Sequence, residues 1–241
     1  MRKPIILLAF MLFLIIPSQV KAENLFTIDS PSTATLLKGD VNFIFTIYND
    51  GGILFESFLG ITDGFMLGIP LDFENLIGGR QIRIKYPPVV SAKLRLFREN
   101  NSVPSILIGY DPIGFGNWSG DTVSSYGRPA KGAYAVLGKT LKILNMDASL
   151  NVGLSGGLVD TISTNRIKYF SGISLSIIPE LSAAVEIDNL DLNAVNDDSV
   201  LYNASVTYSL SDDLQAVVSF RNLKSPTYDR TVRIVYRRTF F

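Results

Sequence analysis

The sequence predicts an all-β fold, a transmembrane antiparallel up-and-down β-barrel of about twelve strands. Three observations carry that prediction. The chain opens with an export segment, most of the remainder alternates apolar and polar residues with period 2, and the connections between alternating segments are short and long by turns.

Composition sets the limits first. The 241 residues carry 22 Lys+Arg against 22 Asp+Glu, with no His and no Cys. Zero net charge argues against a nucleic-acid partner, which calls for a basic surface. Without His or Cys there is no Ser–His or Cys–His catalysis, no disulfide and no thiolate or imidazole metal site, so neither an enzyme nor a cofactor is expected. Charged residues make up 18% of the chain, below the usual quarter, while 47% are hydrophobic and the mean hydropathy is +0.26. The deficit in charge predicts a surface that does not all face water.

Met1-Arg2-Lys3 is a basic start, followed by twelve apolar residues from Ile5 to Ile16, then Pro17 and the Val20-Lys21-Ala22 cleavage pattern. Twelve residues fall short of the roughly 20 a spanning helix needs. Residues 1–22 therefore predict a signal peptide, cleaved near Ala22, and a mature chain of 219 residues that has lost Arg2, Lys3 and Lys21. Later in the chain no apolar run is long enough for a membrane helix, so any span must be built of strands. Residues 23–39, with Ser30-Pro31-Ser32-Thr33, form an N-terminal segment that either stays in the periplasm or plugs the lumen; residues 40–241 are the barrel.

The strands fall at about 40–48, 52–60, 64–72, 89–98, 103–110, 131–139, 145–154, 169–177, 181–188, 200–210, 213–221 and 230–240. Tyr202, Ala204, Val206 and Tyr208 alternate with Asn203, Ser205 and Thr207, and Leu150, Val152 and Leu154 alternate with Asn151, Gly153 and Ser155. Segments 53–59, 103–110 and 131–139 are ambiguous in phase. Turns after the even-numbered strands are short, while loops after the odd-numbered ones are long, apart from the first hairpin at Asn49-Asp50-Gly51-Gly52. A soluble secreted glycan-binding β-sandwich would alternate as well. It would place turns roughly every 8–12 residues, against about 17 per strand here, and strands of about 8–11 residues approach the roughly 9–11 that cross a bilayer when tilted.

Three segments share a pattern where a long loop begins: Phe73-Glu74-Asn75-Leu76, Ile187-Asp188-Asn189-Leu190 and Phe220-Arg221-Asn222-Leu223. They predict rim chemistry, an apolar residue at the interface and then an Asn that tolerates a turn conformation. The loop segment Gly114-Phe115-Gly116-Asn117-Trp118-Ser119-Gly120 lacks the Lys of a phosphate loop and predicts a flexible external loop, with Trp118 either at the headgroup level or on a sugar.

The last strand sets Val232, Ile234 and Tyr236 on one face and ends at Phe240-Phe241. Tyr236, Phe240 and Phe241 resemble the assembly signal of bacterial outer-membrane β-barrel proteins. That resemblance implies export to the outer membrane, insertion by the barrel-assembly machinery, and lipids and lipopolysaccharide as surroundings. Gly172-Ile173-Ser174-Leu175, Pro179-Glu180-Leu181, Glu186-Ile187-Asp188 and Lys131-Gly132-Ala133-Tyr134 also resemble the exopolysaccharide-associated (YjbH-like) outer-membrane barrel family. This chain is shorter than typical members and has no lipidation Cys.

The alternation turns ten charged side chains toward the lumen: Glu56, Asp72, Lys93, Arg95, Asp147, Glu186, Asp188, Arg221, Arg233 and Arg237. Both signs occur, which predicts a network of ion pairs filling a narrow interior, or alternatively a charged eyelet that selects solutes. Strands 4 and 12 are not neighbours, so the sequence implies no single basic patch from Lys93, Arg95, Arg233 and Arg237. The expected function is non-enzymatic: passage of a solute, or exopolysaccharide and envelope handling. The alternatives are a closed structural barrel without transport and the secreted sandwich.

Overall fold

The computed structural model describes residues 24–84, 88–116, 127–144, 146–156, 167–191, 200–226 and 228–240. The residues expected to form the signal peptide, Trp118 and Phe241 lie outside the described residues. Twelve strands form the barrel: β1 (Asp40–Tyr48), β2 (Gly52–Thr62), β3 (Phe65–Glu74), β4 (Ser91–Phe97), β5 (Ser105–Asp111), β6 (Gly132–Ile143), β7 (Met146–Gly156), β8 (Ile167–Ile178), β9 (Leu181–Leu190), β10 (Leu201–Ser209), β11 (Leu214–Arg221) and β12 (Asp229–Thr239). Every strand pairs antiparallel with its chain neighbours, and β12 pairs with β1 from Asp40↔Thr239 to Ile47↔Val232. That last ladder closes the ring and removes both sheet edges. All twelve predicted strands are present, with ends moved by no more than four residues. Two small ribbons are additional to the twelve strands of the ring, Arg83–Ile84 against the end of β3 and Phe115–Gly116 against Gly127–Arg128.

Because side chains alternate across a strand, closure turns one set inward and the other outward. Phe45, Leu67, Ile69, Leu94, Ile108, Leu137, Val152, Val185, Val206, Val218 and Val232 are exposed large apolar residues on the outer face. The strands of ambiguous phase settle with Leu54, Glu56 and Phe58, Ser105, Leu107 and Asp111, and Tyr134 and Val136 buried inside. Asn75, Asn189 and Asn222 all adopt left-handed backbone, with φ of 58°, 60° and 53°, as the three repeated segments predict. An unexpected lumenal feature is a set of inward aromatic rings, each lying over a glycine directly across the ladder. Phe58 covers Gly68 and Tyr134 covers Gly109, so close that a Cβ on Gly68 would stand 2.3 Å from the Phe58 ring.

The N-terminal segment folds into the lumen as a narrow hairpin. Thr27 N–H donates to the Ser30 carbonyl at 2.9 Å, Ser32 N–H donates to the Leu25 carbonyl at 3.1 Å, and Phe26 bridges Pro31. Both of its ends lie at the short-turn end of the barrel. Asn24 borders a small cavity with Asp212 and Asp213, which belong to the β10–β11 turn, and Gly39 N–H donates to the Gly60 carbonyl near the end of β2. From there the tip, Ile28–Ser30, reaches into the half of the barrel nearer the long loops.

Val206, Val218 and Val232 stand level with one another across β10, β11 and β12, near the middle of their strands. Placing Arg at position 218 (Val218→Arg) is expected to cost about 2–4 kcal/mol at this depth, against about 0–1 for an Arg near the edge. Arg238, outward and exposed near the end of β12, occupies such an edge position. The measurement is the denaturant midpoint of the barrel in bilayers. A Val218→Arg midpoint equal to wild type would mean that this face does not meet hydrocarbon.

Candidate functional site

The site is the lumen where the N-terminal hairpin meets the wall. Its geometry starts from glycine. Gly60, Gly138 and Gly172 face inward where the hairpin passes, and each leaves room for it. A Cβ on Gly138 would stand 2.2 Å from Thr33 Oγ1, one on Gly60 1.9 Å from the Leu37 carbonyl oxygen, and one on Gly172 2.7 Å from Thr27 Cγ2. Glycine at these three positions lets the hairpin lie against the wall. Below the tip, Leu25, Phe26, Ala34 and Leu36 pack on Ile44, Phe58 and Met66 in one apolar cluster.

The tip is held by two carboxylates pointing in opposite directions. Glu186 of β9 accepts from the backbone N–H groups of Ile28, Asp29 and Ser30, at 3.1, 3.2 and 2.9 Å to one oxygen, and Asn203 Nδ2 donates to its other oxygen at 3.0 Å. Successive N–H groups on one oxygen form an anion-binding nest. In the other direction, the Asp29 carboxylate enters a pair of wall guanidiniums. Arg221 Nε donates to Asp29 Oδ2, and Arg233 Nη2 lies 3.5 Å from Asp29 Oδ1. Burial alone would raise the Asp29 carboxyl, but Arg221, Arg233 and Arg128 outweigh it and hold it below the ordinary carboxylate range. The contribution of that charge is therefore present above the unfolded carboxylate range and is lost only as pH falls through the depressed native value.

Around these clasps the charges pair further. Arg221 also donates from Nη1 to Asp229 at 3.3 Å and lies 4.6 Å from the centroid of the Phe115 ring. Arg233 donates from Nε to Thr46 Oγ1 at 3.2 Å and from Nη1 to the Ile28 carbonyl at 2.7 Å. Arg128 pairs with Asp111 and lies 3.9 Å from Glu56. Lys131 pairs with Asp188 and Lys93 Nζ donates to the Leu25 carbonyl. Asp72 accepts from the Tyr48 hydroxyl at 2.6 Å.

Of the ten expected lumenal charges, Glu56, Asp72, Lys93, Glu186, Asp188, Arg221 and Arg233 are buried in the interior. The other three stand apart at the short-turn end. Arg95 donates to the Asp63 carbonyl at 2.7 Å, Arg237 bonds Asp40 at 3.0 Å across the β1–β12 seam, and half-buried Asp147 is level with Lys142.

Two expectations are corrected. Basic residues of β4 and β12, with Arg128 of the loop after β5, converge on one ring of the hairpin: Lys93 lies 4.6 Å, Arg128 5.3 Å and Arg233 5.7 Å from the centroid of Phe26. Strand order is a poor guide to contact in a lumen narrow enough for one hairpin to touch opposite walls. Likewise, the described part of the expected external loop turns inward, with Ile113 and Phe115 buried against Tyr48 and Leu54. An apolar pair at the mouth of a closed ring finds its largest burial inside it.

Asp29, Asp111, Arg128, Lys131, Asn203 and Asp229 complete the network and were not among the expected site residues. Period 2 could have found Asp111, Asn203 and Asp229, which continue the inward phase of β5, β10 and β12. Arg128 lies in a loop without period, and Lys131 precedes Gly132, whose φ of 62° breaks the alternation. Among the described residues, no group of three or more acidic, His or Cys side chains is placed to hold a metal.

Comparison with solved structures finds other barrels. The KdgM porin is 10% identical, with 84% of this chain and 99% of that one covered at a TM-score of 0.49. The NanC porin is 7% identical over 83% of this chain and all (100%) of the other at 0.41, and Omp33 of Acinetobacter baumannii is 10% identical over 83% and 97% at 0.36. No protein-family model matches the chain, and no curated protein matches it.

Removing one member of a buried ion pair leaves the other charge stranded, at about 3–5 kcal/mol. Lys131→Met or Asp188→Leu alone is expected to destabilise the barrel by about that much, and the double variant to recover most of it. Denaturant unfolding of the four proteins tests the pair. A second prediction concerns the hairpin: Gly138→Val drives a side chain into Thr33. Hydrogen exchange of the amides of residues 28–36 should then accelerate while that of β10–β12 stays unchanged.

Proposed function

We propose that the protein is an outer-membrane barrel whose hydrophilic lumen is a solute passage, closed at rest by its own N-terminal segment. One observation carries this reading. The hairpin fills a ring that is complete without it, and its tip is held through side-chain carboxylates, guanidiniums and backbone N–H groups, which water and polar solutes can replace. The outward apolar belt supports residence in a bilayer, and the export segment supports the outer membrane as that bilayer. Tyr236 on the outer face of β12 and the exposed Phe240 after it fit handover by the barrel-assembly machinery. Exopolysaccharide or other envelope polymers are the finer proposal for what is handled, on the short segments that resemble the exopolysaccharide-associated barrels.

The apolar contacts of Leu25, Phe26 and Leu36 favour the second reading, a permanently closed structural barrel. Planar-bilayer recording separates the two. Wild-type protein is expected to stay closed most of the time, and a variant lacking residues 25–36 to conduct steadily. Absence of current from a folded, heat-modifiable deletion variant overturns the passage and leaves the structural barrel.

A further inference from the structure

We infer that Arg221 and Arg233 form a carboxylate-binding site in the lumen, which Asp29 of the hairpin occupies in the resting state and which a carboxylate-bearing solute takes over when the passage opens. This rests on the passage proposed above and names the class of solute that works it. Arg221 is positioned by Asp229 and by the Phe115 ring, and Arg233 by Thr46, all outside the hairpin. Both guanidiniums are buried while the hairpin is docked; its withdrawal uncovers them and leaves these wall contacts to hold them in position, as a pair that can receive a planar carboxylate.

The present occupant fits only in part. Asp29 Oδ2 takes the Arg221 bond, but Asp29 Oδ1 accepts no hydrogen bond among the described residues, and Arg233 Nη2 stays 3.5 Å from it. A buried carboxylate oxygen without a donor leaves the clasp short of its full strength. A free carboxylate, unconstrained by a backbone, can move to bond both guanidiniums and replace Asp29 charge for charge.

Glu186 narrows the class further. At rest it accepts three N–H bonds from the hairpin tip beside the one from Asn203, and it loses those three when the tip leaves. A solute that binds the arginines and also presents donors toward Glu186 replaces the tip more completely than one that binds the arginines alone. The chemistry that meets both demands is a carboxylate with neighbouring hydroxyl or amide N–H groups, as in a hydroxy acid, a sugar acid or an acylated amino acid. A carboxylate without donors would leave Glu186 with the Asn203 amide and water in place of the three N–H groups.

Two measurements on the full-length mature protein test the site. The first is rescue. Asp29→Ala vacates the position between the arginines, so acetate is expected to raise its melting midpoint over chloride at equal ionic strength. Acetate should do this for neither wild type nor Asp29→Ala/Arg233→Gln. The second needs no variant: in wild type, gluconate is expected to accelerate hydrogen exchange of the residue 28–30 amides at least about tenfold over chloride, with acetate having a smaller effect and glycerol none. Equal responses to acetate and chloride in Asp29→Ala, or equal exchange in gluconate and chloride, overturn the site. Neither readout is a current. A carboxylate response in a protein that never conducts would retain the binding site and refute the passage, while current from the deletion variant without any carboxylate response would do the reverse.

Discussion

Closure of β1 onto β12 is the constraint on which everything inside this protein depends. An open twelve-stranded sheet could leave its polar face to water. Joined into a ring, the same face encloses a narrow space in which a charge meets either a partner or a desolvation penalty of several kcal/mol. The seam is itself fastened by charge at its short-turn end, where Arg237 and the Thr239 hydroxyl both bond Asp40. Once the ring exists, the placement of Glu56, Asp72, Asp188 and Arg221 follows from strand phase, and the search for counter-charges draws in groups from outside the strands.

That search accounts for the two segments that enter the lumen. The hairpin brings Asp29, three N–H donors and the Ile28 and Leu25 carbonyls to a wall that has guanidiniums, an ammonium and a carboxylate to satisfy. The loop after β5 brings Arg128 to Asp111 and Glu56, and Phe115 to the face of Arg221. Each segment also buries apolar groups, so neither is held by charge alone. Apolar packing favours keeping the hairpin docked, whereas ionic clasps are the contacts a charged solute can exchange. The balance between them decides whether the lumen is a gate or a core.

The outer face and the strand order were legible because they repeat. Period 2 places Val206, Val218 and Val232 outward without reference to any other part of the chain, and the Asn at 75, 189 and 222 mark strand ends by a local backbone preference. The lumenal network was legible only in part. Asp111 and Asp229 continue an inward phase and were open to the same reasoning. Lys93, Arg128 and Arg233 gather around Phe26 from two distant strands and a loop, and no spacing in the sequence encodes that meeting.

By itself, then, the sequence determined that the protein is built of about twelve amphipathic strands with one lipid-compatible face, because each strand records its two environments in its own alternation. The tertiary structure decided what fills the ring: a hairpin from residues 24–39, admitted by Gly60, Gly138 and Gly172 and fastened through Asp29 and Glu186. Those contacts join residues more than 150 positions apart. They exist because closure brings opposite walls within reach of one hairpin, a distance that local pattern does not carry.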